Sequence, residues 1–249
     1  MTRKILIINA NTSQSMTEAI CRSANTYKLP DTEITCVHAV EGPEVIETYF
    51  EDFISALEVL KIIAAEKENF DAFIIAASPD PGLVGARELT TKPVLGIGQS
   101  PLLVAPLLGR KFSILGHWQG DKPRSEDKVA KYHLSELMAS VVVMGESPLG
   151  IHADHQGKLG HLVKIGRQAI EDGAEVLILT GAAFAGMQHD LSRILNVPVL
   201  EGISCAVKLA EILIDLELCT SRVGQYQPLP KPKNLEGYPE FQSLENFQV

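Results

Sequence analysis

The sequence predicts an α/β protein of two pseudo-symmetric parallel-sheet subdomains, with helices on both faces of each sheet and a ligand cleft between them. Three observations point there. Short β-branched or aliphatic runs alternate with stretches of helical spacing along the chain, the pattern of strand–helix units in parallel sheets. The second half of that alternation repeats the first. Loops of small and polar residues follow the repeated runs, and such loops at the C-terminal ends of strands are where open α/β sheets bind ligands.

Taken in order, the strand runs are "KILIINA" from Lys4, "EITCVHAV" from Glu33, "DAFIIAA" from Asp71, "PVLGIG" from Pro93, "KFSILG" from Lys111, "SVVVMG" from Ser140, "EVLILTG" from Glu175 and "PVLEGI" from Pro198. Between them, a helix starts near Met16, and "FISALEVLKIIAAEKENF" and "GKLGHLVKIGRQAIEDG" have helical periodicity. The segment "DAFIIAASPDPGL…KPVLGIGQSPLLVAPLL" matches "AEVLILTGAAFAGM…VPVLEGISCAVKLAEIL", and "RKILIINANTSQ" pairs more loosely with "RKFSILGHWQGD". The expected division is residues 1–104 with 203–231 as one subdomain, 105–202 as the other, and 232–249 as an extended tail. The helix from Ile203 to Leu216 returns to pack on the first copy. The tail has too much proline for helix and is expected to wrap the surface or reach a neighbouring subunit. Two such units set their strand-end loops face to face: Asn9–Ser13 and Ala77–Gly82 from one, Gly116–Gln119 and Thr180–Gly186 from the other.

The chain of 249 residues is 45% hydrophobic, enough for one large core or two small ones. Its formal charge of −9 argues against nucleic acid or an anionic membrane as partner. No apolar run approaches the roughly 18 residues of a membrane span, and the N-terminus lacks the long apolar core of a signal peptide. Four scattered cysteines without CxxC spacing read as reduced thiols. The expectation is a cytoplasmic protein with a small-molecule ligand. Neither GxxxxGK[ST] nor GxGxxG follows a strand, so a nucleotide site has no support. His152, His155 and His161 fit no strong metal-binding spacing and read as a solvated helix face; no metal is expected.

The segments "INANTSQSMTEAI", "SPDPGLVGARELTTKPVLGI", "LLGRKFSIL", "VPVLEGISCAVKLAEILIDL" and "CTSRVGQYQPLPK" together resemble the hydantoin and allantoin racemases of the aspartate/glutamate racemase superfamily. The likeness runs in order to about Lys231. It implies a cofactor-independent homo-oligomer acting on a small cyclic ureide or a related carboxylated compound. It also implies two cysteines across the cleft, one removing the proton at the stereogenic carbon while the other delivers a proton to the opposite face. The first belongs to a pattern like "ACFGDPGL". Here the segment reads "AASPDPGL", with Ala77 at the cysteine position. The second belongs to a pattern like "LGCAGM". Here "LTGAAFAGM" is two residues longer, and either Gly181-Ala182 or Ala183-Phe184 aligns with Gly-Cys. Both thiols are absent together. Cys21, Cys36, Cys205 and Cys219 fall within a helix, within a strand, within a helix and before the tail, where none replaces them.

Three readings fit such a chain: a branch with changed chemistry, a racemase inactivated by change of both cysteines, or a ureide-binding or regulatory protein. A cysteine-independent lyase or hydrolase on the same scaffold belongs with the first. "ILGHWQ" places His117 at a cleft strand end and "AGMQHDL" places His189 near the second loop. Histidine serves as acid or base near neutral pH, so these two are the candidate catalytic residues, beside the alanines at positions 77 and 182. By resemblance, Asn9, Asn11, Thr12 and Ser13 line the ligand site, their amides and hydroxyls suiting carboxylate or imide oxygens. Tyr49 and Phe50 are candidate walls of the cleft. Ser78, Pro79, Asp80, Gly181, Ala183 and Phe184 complete the expected lining, with Asp80 also suited to bracing its own loop.

Overall fold

The computed structural model describes residues 2–228, 235–239 and 241. Its strands form two four-stranded parallel sheets of identical order. β1 (Arg3–Asn9), β2 (Thr32–His38), β3 (Ala72–Ile75) and β4 (Val94–Gly96) form the first, ordered β2-β1-β3-β4. β5 (Phe112–Gly116), β6 (Met138–Val143), β7 (Val176–Leu179) and β8 (Val199–Glu201) form the second, ordered β6-β5-β7-β8. Each expected strand run overlaps one of these strands, and the internal repeat pairs β1, β3 and β4 with β5, β7 and β8 in order.

The helices are α1 (Gln14–Tyr27), α2 (Tyr49–Glu66), α3 (Leu83–Leu89), α4 (Gln99–Val104), α5 (Asp121–Lys131), α6 (Pro148–Ala153), α7 (His155–Glu171), α8 (Gln188–Leu195) and α9 (Gly202–Asp215). Successive strand residues point to opposite faces, and both faces of both sheets are covered. In β1 and β3, Ile5, Ile7, Ala72 and Ile74 meet Met16 and Ile20 of α1 and Ile203 and Val207 of α9. Their neighbours Leu6, Ile8, Phe73 and Ile75 meet Val59 and Ile63 of α2 and Leu83 and Ala86 of α3. In the second sheet, Leu115, Leu177 and Leu179 meet Leu162 of α7 and Leu191 of α8, while Phe112, Ile114, Val176 and Ile178 meet Leu102 of α4 and Val129 of α5.

The two halves are joined unequally. The α1, α7, α8 and α9 faces share one continuous apolar cluster that contains residues of both sheets. The α2–α3 face and the α4–α5 face have separate clusters, and polar contacts run between them. Arg124 of α5 stands 3.7 Å from Asp52 of α2 and stacks its guanidinium 4.9 Å over the Tyr49 ring. The Tyr49 hydroxyl donates to Asp127 at 3.1 Å.

α9 packs on β3, β4, α1 and α4 of the first half as well as on β8. The expected boundary at residue 231 and most of the tail from 232 lie outside the described residues. Of that tail, Phe241 packs against the α2–β3 cluster of the first half. Among the described residues, no helix is long and apolar enough to cross a membrane.

Candidate active site

The cleft forms where the loops after β1, β3, β5 and β7 meet, and two cavities open there. A small one of about 40 Å³ is lined by Ala77, Ser78 and Pro79 after β3, by Gly181, Ala182 and Ala183 after β7, and by Asn11, His117 and Pro148. The loops that would hold the two thiols therefore share one cavity. A larger one of about 440 Å³ lies on the α2–α5 side and shares Ser78, Pro79, His117 and Pro148 with the first. The loops are in close contact. A Cβ built on Gly181 would stand 2.6 Å from Cε1 and 2.9 Å from Nε2 of His117, and 3.7 Å from Ser78 Oγ. Gly181 also has φ +99°, a conformation that side chains disfavour.

His117 is the titratable side chain at this contact. It directly follows β5, is buried, and stacks on Phe184 with ring centroids 4.9 Å apart and planes at 11°. One carboxylate oxygen of Asp121, in the first turn of α5, holds the whole turn. It accepts from the His117 backbone N–H at 2.7 Å, from the Trp118 N–H at 3.3 Å, and from His117 Nδ1 at 3.0 Å. Burial pushes the Asp121 carboxyl up, but the bonds from His117 outweigh it and hold the group below the usual carboxylate range. With Nδ1–H donating to Asp121, Nε2 is left as the acceptor. Nε2 is buried and has no hydrogen-bond partner among the described residues. Leaving such an atom unsatisfied costs about 1–3 kcal/mol, so its place in the cavity wall is the notable feature of the site.

Asp80 is the brace the loop requires. It sits at φ +57° and is buried. Oδ1 accepts from Gly98 N–H at 2.8 Å, and Oδ2 pairs with Lys128 of α5 at 3.0 Å. Lys128 also donates to the Ser78 carbonyl, so the second half clamps the β3 loop of the first. Burial pushes the Asp80 carboxyl up against the pull of Lys128 and Gly98. The opposite loop has its own tie: His155 Nε2 donates to the Ala183 carbonyl at 2.8 Å.

Several expected site residues stand elsewhere. His189 lies on the exposed face of α8 against Tyr27, rings 5.8 Å apart, and lines neither cavity. The helix begins one residue earlier than position 189, and its phase turns the imidazole outward. Asn9 is spent locally: its amide donates to Asn11 Oδ1, Ser13 O and Thr17 Oγ1. Ser13 caps α1 by accepting from Met16 N–H, and Thr12 bonds to the Pro43 carbonyl. These three are scaffold for Asn11, which does reach the small cavity. Phe50 is exposed and lines neither cavity, whereas Tyr49 lines the larger one. Phe184 is fully buried behind His117 rather than in the lining.

The residues that sequence reasoning missed belong to two helix faces. Beside the expected Tyr49, Asp52, Phe53 and Ala56 of α2, and Asp121, Arg124, Ser125 and Lys128 of α5, line the larger cavity. Their i, i+3, i+4, i+7 spacing is visible in the sequence. The pairing of the two faces depends on how the halves dock. None of the four cysteines lines either cavity. Burial, with the neighbouring Glu201, pushes the Cys205 thiol up to about 12, far from a working thiolate.

Comparison with known proteins shows the family and the fold. The profile of the Asp/Glu/Hydantoin racemase family matches residues 5–210. A hydantoin racemase of Pseudomonas sp. (strain NS671) is 35% identical over 246 residues, covering 98% of this chain and 96% of the relative. The solved allantoin racemase from Klebsiella pneumoniae superposes with a TM-score of 0.92 at 33% identity, covering 99% of this chain and all of that one. That of Pseudomonas fluorescens gives 0.87 at 32% identity, covering 93% and 99%. With the doubled sheet, the shared cavity between its loops and this likeness along nearly the whole chain, the protein belongs to the Asp/Glu/hydantoin racemase family.

Proposed function

We propose that this chain binds a small cyclic ureide of the hydantoin or allantoin type, or a related carboxylated compound, and acts on it with one base, His117 held by Asp121, in place of two thiols. The observation that supports this most directly is the content of the shared cavity. Where a pair of cysteines is expected it has the methyl groups of Ala77, Ala182 and Ala183, and a histidine with an unpartnered Nε2. The larger cavity falls in the size range of small-molecule sites, roughly 300–1,000 Å³, and His117 stands in the wall it shares with the small one.

Racemisation by two bases needs a proton carrier on each face of the carbon. Alanine is none, and each lost acid–base group typically costs a factor of about 10²–10⁴. Two-base racemisation of a hydantoin by this chain is therefore expected to be at least about 10²-fold slower than in a two-cysteine relative. Circular dichroism decay of an enantiopure 5-substituted hydantoin measures it. Decay at a rate matching such a relative would refute the one-base reading. The double change Ala77→Cys with Ala182→Cys places both thiols on the small cavity and is expected to raise the racemisation rate. Calorimetric titration with hydantoins tests the ligand class separately.

A further inference from the structure

The two cavities differ in scale, and the difference assigns them different contents. About 40 Å³ is too small for a ureide ring but exceeds the roughly 10–15 Å³ that a buried water needs. Such a water also needs two to four polar partners. The small cavity offers His117 Nε2, the Ser78 hydroxyl and the Asn11 amide; among the described residues Nε2 has no partner and Asn11 Nδ2 reaches only Met16 sulfur at 3.9 Å. A Cβ on Gly181 would stand 2.6 Å from Cε1 and 2.9 Å from Nε2 of His117, so glycine is what lets the β7 loop approach the imidazole and Ser78 Oγ this closely.

We propose that the small cavity seats a water molecule, and that the His117–Asp121 pair uses it to hydrolyse an amide-type C–N bond of a ligand held in the larger cavity. This rests on the ureide reading above and names its reaction. The electron and proton count is simple. Nε2 takes a proton from the water as its oxygen bonds to the carbonyl carbon. The C–N bond of the resulting tetrahedral centre breaks, and the nitrogen leaves with the proton that Nε2 held. One water is consumed, and an acid and an amine or amide are formed. Asp121 receives the Nδ1 hydrogen bond throughout, keeping Nε2 the acceptor at the start and bracing the imidazolium between the two transfers. A single imidazole on one side suffices for this sequence, whereas proton exchange at carbon wants groups on both faces. The cavity has its one base on the His117 side and methyl groups at Ala77, Ala182 and Ala183.

The test uses allantoin and 5-methylhydantoin with the full chain in H₂¹⁸O and, in parallel, in D₂O, read by mass spectrometry and NMR against the uncatalysed background. The expected result is ring opening with one ¹⁸O in the new carboxylate. Ala77 lines the small cavity and not the larger one. Ala77→Val is therefore expected to lower turnover at least about 10²-fold with calorimetric affinity nearly unchanged. Asp121→Asn, whose side chain can turn its amide toward Nδ1, is expected to lower kcat and shift its pH profile. Binding without ring opening, or deuterium exchange at C5 without ring opening, overturns the hydrolysis and leaves the ligand reading standing. No binding of either compound overturns both. Undiminished turnover in a folded Ala77→Val variant refutes the seated water.

Discussion

Asp121 has three donors on one oxygen, and its removal should be felt well beyond a surface carboxylate. Asp121→Ala leaves the His117 and Trp118 backbone N–H groups and His117 Nδ1 without their acceptor, and is expected to cost about 1–3 kcal/mol in urea unfolding at neutral pH. The sign of its pH dependence follows from the direction of the shift. The folded protein holds this carboxyl below the ordinary value. Its contribution is therefore fully present above the unfolded pKa of about 3.9 and is lost as pH falls through the folded value. Wild type and variant should differ at pH 7 and draw together as pH falls below the unfolded value through the lower folded one. A gap that persists unchanged in acid would show that the carboxylate charge is not what holds the turn. His117 was legible at this scale because a histidine at the end of a sheet strand is visible in "ILGHWQ". Its partner, four residues on, could have been read from "HWQGD", where an acid in the first turn of a helix can accept from the turn before it. Asn9 and Ser13 misled because short polar side chains bond to their own backbone as readily as to a ligand.

At the scale of elements, α5 is the rod on which the cleft is set. One face of it positions His117 through Asp121, clamps the β3 loop through Lys128 and meets α2 through Arg124. Lys128→Met leaves the buried Asp80 carboxylate unpaired, and is expected to destabilise by about 3–5 kcal/mol. Because burial already pushes that carboxyl up, the variant should suffer most at alkaline pH and recover as acid protonates Asp80. Denaturant midpoints at pH 5 and pH 8 measure this, and equal losses at both would argue against an ionised Asp80. The strands, three to seven residues long, and their repeat were legible because short aliphatic runs between turn signals leave little choice of structure. Helix phase was harder. Tyr49 and Phe50 are adjacent in sequence, but the helix that starts at Tyr49 sends 49, 52, 53 and 56 to the cavity and Phe50 to solvent. The same rotation removes His189. The Lys128 clamp could not be read at all, since its two ends lie 48 residues apart and meet only when the halves dock.

For the whole molecule, the asymmetry between the two junctions should govern stability. Ile203→Ala, within the apolar cluster common to both halves, is expected to cost about 2–5 kcal/mol. Tyr49→Phe removes only a partly exposed hydroxyl contact on the other side and should cost less than about 1 kcal/mol. Chemical denaturation of the two variants checks the ranking, and a reversed order would place the main junction on the α2–α5 side. The likeness of the halves in topology hides what this junction does to traffic. The apolar side acts as the spine of a book and the α2–α5 edge as its fore-edge, where a few polar contacts can part without exposing a core. Tyr49 and Arg124 line the larger cavity at that edge, so under the proposed function changes there are expected to alter the speed of ligand exchange more than the strength of binding. A duplicated fold thus ends with a front and a back, and the larger cavity lies on the front.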